Sequence, residues 1–198
     1  LLCIRNEDSL RVVRNLQIMI DSLMNAGIEK YFHIYILSDS TSENIRQSES
    51  KLFQKLNTEY GQSINIVYRC RESNEGYKAG NIANFCQQYG KLHDFGITLD
   101  ADSFMTATAM KRLVQMMQAN PQLGILQGLV IGLPSSSAFT RLFQYGMRLG
   151  MRSYTMGSAW WQSDFGPYWG HNAIIRLGPF VQFCKLPEIK TAKGNILQ

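Results

Sequence analysis

Short β-rich segments alternate with longer amphipathic segments through the first two thirds of the chain. Apolar residues in the longer segments recur with a period near 3.6, which indicates helices, and the short segments are typical of strands. This pattern predicts helices at 8–26, 43–60, 79–89 and 106–119, and strands at the start of the chain and at 31–37, 64–69, 95–99 and 123–130. Such alternation favours an α/β domain with a Rossmann-like, mostly parallel sheet and helices on both faces.

Polar residues follow three of the predicted strands. Asn6-Glu7-Asp8 follows the first strand, Asp39 follows the second, and Asp100 and Asp102 follow the fourth. Ligands of open parallel sheets bind outside the carboxyl ends of the strands. We therefore expect a nucleotide-type crevice at this edge of the sheet.

The pair Asp100 and Asp102 is the sharpest local signal, because two carboxylates one residue apart at a strand end can share a divalent cation. Mg²⁺ and Mn²⁺ prefer oxygen ligands and often bind a substrate diphosphate at the same time. The pair predicts an Mg²⁺ or Mn²⁺ site, although a solvated turn can contain the same residues.

A glycine-containing loop precedes the third predicted helix. Gly76 and Gly80 permit close approach of the backbone to a ligand, and Lys78 lies between them. A lysine and the amides of a helix N-terminus both bind phosphate. The spacing does not match the Walker A motif, so the loop predicts a different kind of phosphate contact, or a plain turn.

A dense aromatic and glycine-rich region follows, with Trp160-Trp161 and then Gly166 to Asn172. Aromatic rings can pack against the C–H faces of sugars, so Trp169, Gly170, His171 and Asn172 are candidate acceptor-side residues. The alternatives are a hydrophobic plug under a loop and a structural role for His171.

Charge is uneven along the chain: residues 1–100 carry 11 Lys and Arg against 12 Asp and Glu, and residues 101–198 carry 9 against 3. In a predicted helix at 137–156, Arg141, Arg148 and Arg152 fall within about 40° of one another. This amphipathic helix could face a membrane surface, a phosphate or the protein core. Basic and aromatic residues are not interleaved as in a stacking groove, so no nucleic-acid partner is predicted.

Together these motifs resemble family 2 glycosyltransferases of the GT-A fold. The matching motifs are Asn6-Glu7-Asp8, Ser38-Asp39-Ser40, Tyr77-Lys78-Ala79-Gly80-Asn81, Asp100-Ala101-Asp102-Ser103 and Gly170-His171-Asn172-Ala173. The segments 144–154 and 157–162 resemble, more narrowly, bacterial members that make osmoregulated periplasmic glucans.

The resemblance implies an inverting transfer of glucose from UDP-glucose to a growing β-glucan acceptor. It implies that Glu7 and Asp39 hold the uridine, Lys78 the diphosphate, Asp100 the nucleotide sugar and Asp102 the metal. Trp169, Gly170, His171 and Asn172 would line the acceptor side, and the 137–156 helix would be an interfacial helix at the membrane surface.

The resemblance also implies a domain organisation. We expect residues 1–198 to be one catalytic-domain fragment, incomplete at both ends, with a nucleotide-sugar-binding half at 1–135 and an acceptor-side and interfacial-helix half at 136–198. The longer parent would be a multi-pass protein of the bacterial inner membrane, with this domain on the cytoplasmic side.

An inverting transferase needs a general base for the acceptor hydroxyl. Only Asp164 and Glu188 follow Asp102 among the carboxylates of the chain. The resembled family has an aspartate downstream of its glycine-histidine-asparagine loop, and Gly194 to Leu197 resembles the approach to it. We therefore expect the base to lie beyond Gln198.

Two other functions compete with this interpretation. The chain could be a nucleotide-sugar-binding or membrane-docking module without catalysis. It could also be a haloacid-dehalogenase-like phosphatase, in which Asp100 takes the phosphoryl group and Asp102 protonates the leaving group. That enzyme class needs a later acidic pair, which the widely separated Asp164 and Glu188 do not supply.

Overall fold

The protein forms one mixed six-stranded sheet with helices on both faces. The structure, a computed structural model, describes residues 1–166 and 168–184. The strands, in the order β3-β2-β1-β4-β6-β5 across the sheet, are β1 Leu2–Ile4, β2 His33–Ser38, β3 Asn65–Cys70, β4 Phe95–Asp100, β5 Ile125–Gln127 and β6 Ala173–Arg176. The helices are α1 Ser9–Asn25, α2 Glu43–Tyr60, α3 Tyr77–Tyr89, α4 Ala107–Ala119, α5 Ala138–Gln162 and α6 Leu177–Phe183.

The first four strands are parallel, as the alternation predicts. β1 lies between β2 and β4, and β2 lies between β1 and β3. Their carboxyl ends therefore meet at one edge, where the predicted crevice residues follow them. The α/β class and the Rossmann-like sheet of the GT-A fold are confirmed.

Helices cover both faces of the sheet because both faces are apolar. Successive strand side chains point to opposite faces. Ile36 of β2 joins the larger apolar cluster, with helices α1, α2 and α4, whereas its neighbours Tyr35 and Leu37 join a smaller cluster with α3 and α6. A strand buried on both faces must be apolar along its buried length, and residues 34–37 of β2 are Ile, Tyr, Ile and Leu.

Helix α1 shows how local sequence determines an element. Asp8 is its N-cap, and its carboxylate accepts from the backbone N–H groups of Leu10 and Arg11. The buried residues of the helix follow the 3.6 period and include Val12, Leu16 and Leu23. The predicted helix at 8–26 thus agrees with Ser9–Asn25 to one residue at each end.

The second half departs from the predicted order. β6 pairs antiparallel with both β4 and β5, and neither β6 nor α6 was predicted from the sequence. The predicted strand at 123–130 is only Ile125–Gln127. Trp160 and Trp161, which we grouped with the aromatic loop, lie in the last turn of α5 instead. Glu188 and the 194–197 segment lie outside the described residues.

Candidate functional site

A cavity of about 400 Å³ lies at the carboxyl ends of the parallel strands, and we call it the strand-end cavity. Its lining comes from the last residues of β1, β2 and β4 and from the segments that follow β1, β2, β3 and β4. It includes all five of the predicted donor and metal residues, which are Glu7, Asp39, Lys78, Asp100 and Asp102. The structure therefore brings together residues as far apart in sequence as Glu7 and Asp102.

Lys78 lies at the centre of the contacts around Asp100. Its ammonium group pairs with the Asp100 carboxylate and donates to the carbonyl oxygen of Gly170 at 3.1 Å. Both side chains of the pair are more than a third exposed, so a ligand can reach them. The N-terminus of helix α3, where Lys78 lies, has no side-chain cap, and the positive end of a helix favours a negatively charged ligand.

Asp100 and Asp102 differ in their surroundings. The backbone N–H of Asp100 donates to the Ser103 hydroxyl at 3.2 Å, which stabilises the turn, and Asp102 is exposed on the cavity wall. The part of the chain that the structure describes contains no cluster of three or more histidine, cysteine or carboxylate side chains suited to a metal ion. Two carboxylates fit a cation such as Mg²⁺ that takes its other oxygens from water and a bound diphosphate.

Asp39 is almost fully buried and is bound by an arginine that sequence reasoning missed. Arg71 donates to both carboxylate oxygens, from Nε at 2.7 Å and from Nη2 at 2.8 Å. The same guanidinium donates to the carbonyls of Glu75 and Tyr77, each at 3.0 Å. Asp39 thus holds the β3–α3 loop in place, and each oxygen keeps a lone pair for a ligand. Arg71 directly follows β3, so the strand-end rule could have identified it.

A second residue that sequence reasoning missed, Glu49 of α2, accepts hydrogen bonds from the residues on either side of Asp39. Its buried carboxylate accepts from the hydroxyls of Ser38 at 2.7 Å, Ser40 at 2.6 Å and Tyr68 at 2.9 Å. Burial and the bond to Glu49 raise the pKa of Tyr68 well above its usual value. Glu49 shares the buried face of α2 with Phe53 and Leu56. A carboxylate on the apolar face of a predicted helix indicates a buried, hydrogen-bonded acid, and this signal could have identified Glu49.

The predicted residues Asn6, Glu7 and Asp8, which follow β1 after Arg5, have different roles. Asn6, at φ 53°, accepts from the backbone N–H groups of Thr41 and Ser42, and so ties this loop to the one after β2. Asp8 caps α1. Only Glu7 lines the cavity, where Arg11 lies 3.5 Å from its carboxylate.

The predicted acceptor-side residues Trp169, Gly170, His171 and Asn172 form a loop beside Asp100. Gln127 holds the loop: its side chain accepts from the Trp169 N–H at 2.9 Å and donates to the His171 carbonyl at 2.8 Å. Nδ1 of His171 lies 3.5 Å from Asp100 Oδ2, and Asn172 donates its backbone N–H to Thr98 at 2.7 Å. The acceptor-side loop therefore meets the acidic turn, although none of these four residues lines the strand-end cavity.

Comparison with known proteins gives a consistent set of relatives. The sequence profile described as glycosyl transferase family 2 matches residues 2–183. "Glucans biosynthesis glucosyltransferase H" of Escherichia coli K12 is 38% identical over 195 residues, which is 97% of this chain and 23% of that protein. The proteins of the same name from Caulobacter vibrioides NA1000 and Xanthomonas campestris B100 are 34% and 36% identical, over 98% and 97% of this chain and 29% and 30% of theirs. The chain thus spans less than a third of the length of these curated relatives.

Proposed function

Because the chain belongs to glycosyl transferase family 2, we propose that it is the donor-binding domain of an inverting glucosyltransferase. Its donor is UDP-glucose and its acceptor is a growing β-glucan, as in osmoregulated periplasmic glucan synthesis. The relatives are named as glucosyltransferases of glucan biosynthesis, which supports a glucose donor and a glucan acceptor. The family match also favours a transferase over the phosphatase alternative.

The observation that carries the proposal is the meeting of Lys78, Asp100 and Asp102 in one cavity with Glu7 and Asp39. Lys78 and the N-terminal amides of α3 bind the diphosphate, and Glu7 and Asp39 lie at the uridine. Family 2 transferases generally use a divalent metal, and Asp100 and Asp102 would hold Mg²⁺ or Mn²⁺. When bound, the ion offsets the negative charge that develops on the departing diphosphate.

On this proposal the sugar end of the donor lies near Asp100, because the acceptor-side loop contacts that residue through His171. Trp169, Gly170, His171 and Asn172 then face the glucan, and the exposed indole of Trp169 provides a surface on which a sugar can pack. The location of the general base beyond Gln198 stays a prediction.

We predict that Mn²⁺ increases the affinity of the chain for UDP about tenfold or more, since Asp102 would hold the ion and its charge would offset that of the diphosphate. Isothermal titration of UDP and UDP-glucose, with Mn²⁺ and with EDTA, measures this dependence. The Asp102→Ala variant should bind UDP equally weakly in both conditions. Asp94→Ala is the control, because Asp94 is exposed and precedes β4 at its opposite end. Equal UDP affinity of the unsubstituted chain with and without metal would contradict the proposed metal site.

Helix α5 supports a second part of the proposal, contact with a membrane surface. None of its 25 residues is buried. Leu142 is 73% exposed and Trp160 82% exposed, while Arg141, Arg148 and Arg152 are also exposed. Within the described ranges, no helix has the combination of length and hydropathy needed to cross a bilayer. We propose that α5 lies along an anionic membrane surface, on the cytoplasmic side of the bacterial inner membrane.

Loss of the apolar face of α5 should weaken vesicle binding. We expect Leu142→Ser together with Trp160→Ser to reduce binding to phosphatidylglycerol vesicles at least about tenfold, because each side chain buries apolar area in the bilayer. Co-sedimentation measures the bound fraction. Leu10→Ser is the control, since Leu10 is 67% exposed on α1. Unchanged sedimentation of the double variant, or equal binding to uncharged vesicles, would count against the membrane role.

A further inference from the structure

An aromatic ring and a cation from two different loops meet at the strand-end cavity. Tyr77 begins helix α3, and Arg5 follows strand β1. The guanidinium carbon of Arg5 lies 5.9 Å from the centre of the Tyr77 ring, and both residues line the cavity. The proposed function so far uses neither side chain.

The Tyr77 ring occupies an exposed position on the cavity wall. It is 58% exposed, and its backbone has φ 50° after Gly76 at φ 65°. Non-glycine residues rarely adopt this left-handed conformation. The bond that Arg71 donates to the Tyr77 carbonyl at 3.0 Å helps to hold the turn. The fold thus places a large, exposed ring on the cavity wall and gains little burial from it.

Two further groups at the cavity point to a ligand. Lys78 pairs with Asp100, and Arg11 lies 3.5 Å from Glu7, but Arg5 has no carboxylate partner within residues 1–166 and 168–184. The side-chain oxygen of Asn74 is buried at the cavity and, among the described residues, has no hydrogen-bond partner. A buried polar atom without a partner is destabilising unless a ligand supplies one.

We propose that Tyr77 is the stacking surface for the base of the bound nucleoside diphosphate, with Arg5 contacting its phosphates and Asn74 its polar edge. Stacking suits this position because every nucleobase has a flat π-face, and the planar Arg5 guanidinium already occupies a face of the ring. A base that takes the place of Arg5 on the ring frees this cation for the diphosphate. The inference rests on the proposed function, since it assumes that the cavity binds a nucleotide.

The test compares ligands with and without a base, by titration of UDP and of inorganic pyrophosphate in the presence of Mn²⁺. Tyr77→Leu removes the ring and should weaken UDP binding about tenfold or more, with pyrophosphate binding unchanged. Tyr77→Phe keeps the ring and should bind UDP within about twofold of the unsubstituted chain. Arg5→Gln should weaken both ligands. Tyr31→Leu is the matched control, because Tyr31 is 73% exposed and also lies against a cation, Lys30, but outside this cavity.

Specific outcomes would overturn the inference. Parental affinity of Tyr77→Leu for UDP, or an equal loss of UDP and pyrophosphate binding, would mean that the ring does not stack on a base. If Tyr77→Leu keeps the parental affinity for UDP, a loss of UDP binding in Asp100→Asn would still support the proposed function. If the unsubstituted chain binds pyrophosphate but not UDP, both the stacking and the nucleotide-sugar function are wrong. Thermal unfolding of each variant verifies that it is folded.

Discussion

Asp100→Asn is expected to reduce the affinity of the chain for UDP-glucose in Mn²⁺ by at least about 100-fold. Substitution of groups that only hydrogen-bond to metal ligands already reduces metal affinity by about 10- to 100-fold, and Asp100 is proposed to be a ligand itself. The asparagine keeps the shape of the side chain but removes the charge that pairs with Lys78 and would bind the cation. Titration of UDP-glucose measures the loss.

The same substitution should affect stability little. The Asp100–Lys78 pair is more than a third exposed on both sides, and such pairs contribute about 0–1 kcal/mol. We therefore expect the urea midpoint of Asp100→Asn to stay close to that of the unsubstituted chain. Asp94→Asn, at the other end of β4, is the control and should retain UDP-glucose affinity. Parental affinity in Asp100→Asn would refute the proposed role of this carboxylate.

Glu49→Ala is expected to have the largest effect on folding, a loss of about 3 kcal/mol or more in the free energy of unfolding. The substitution leaves the hydroxyls of Ser38, Ser40 and Tyr68 without their shared acceptor in a buried site, and each such group costs about 1–3 kcal/mol unless it finds another partner. Urea unfolding followed by circular dichroism measures the change.

Tyr68→Phe is the matched control for Glu49→Ala. It removes one of the three donors and leaves the carboxylate bound to both serines, so we expect a loss of only about 1 kcal/mol. Because Ser38 and Ser40 flank Asp39, the Glu49 variant should also bind UDP more weakly than its remaining folded fraction accounts for. A Glu49→Ala chain that unfolds at the parental urea concentration would show that the serines have other acceptors.

The helices of the first half could be predicted closely because their signals are local. Helix α2 runs from Glu43 to Tyr60, the predicted range, and α1 differs from its prediction by one residue at each end. Capping side chains and the 3.6 period act within a few turns, so neighbouring residues contain the information. The parallel order of the first strands follows from the same alternation.

The second half was predicted less well because its structure depends on distant pairing. β6 has four residues and lies between β4 and β5, in contact with residues about 50 and 80 positions earlier. An alternation rule has no signal for an antiparallel strand inserted in this way. Trp160 and Trp161 were likewise misplaced, because α5 continues past its predicted end to Gln162.

The candidate site shows the same difference between features that local sequence predicts and features that depend on the fold. The sequence alone determined which chemical groups are available at the strand ends, since an acidic residue after an apolar strand must lie at the carboxyl edge of a parallel sheet. Only the tertiary structure decided how those groups pair: Arg71 with Asp39, Lys78 with Asp100, Glu49 beneath two serines, and Arg5 over the Tyr77 ring. The physical reason is that backbone propensity and periodicity act between near neighbours, whereas ion pairs and hydrogen bonds between side chains depend on distances that only the folded chain defines.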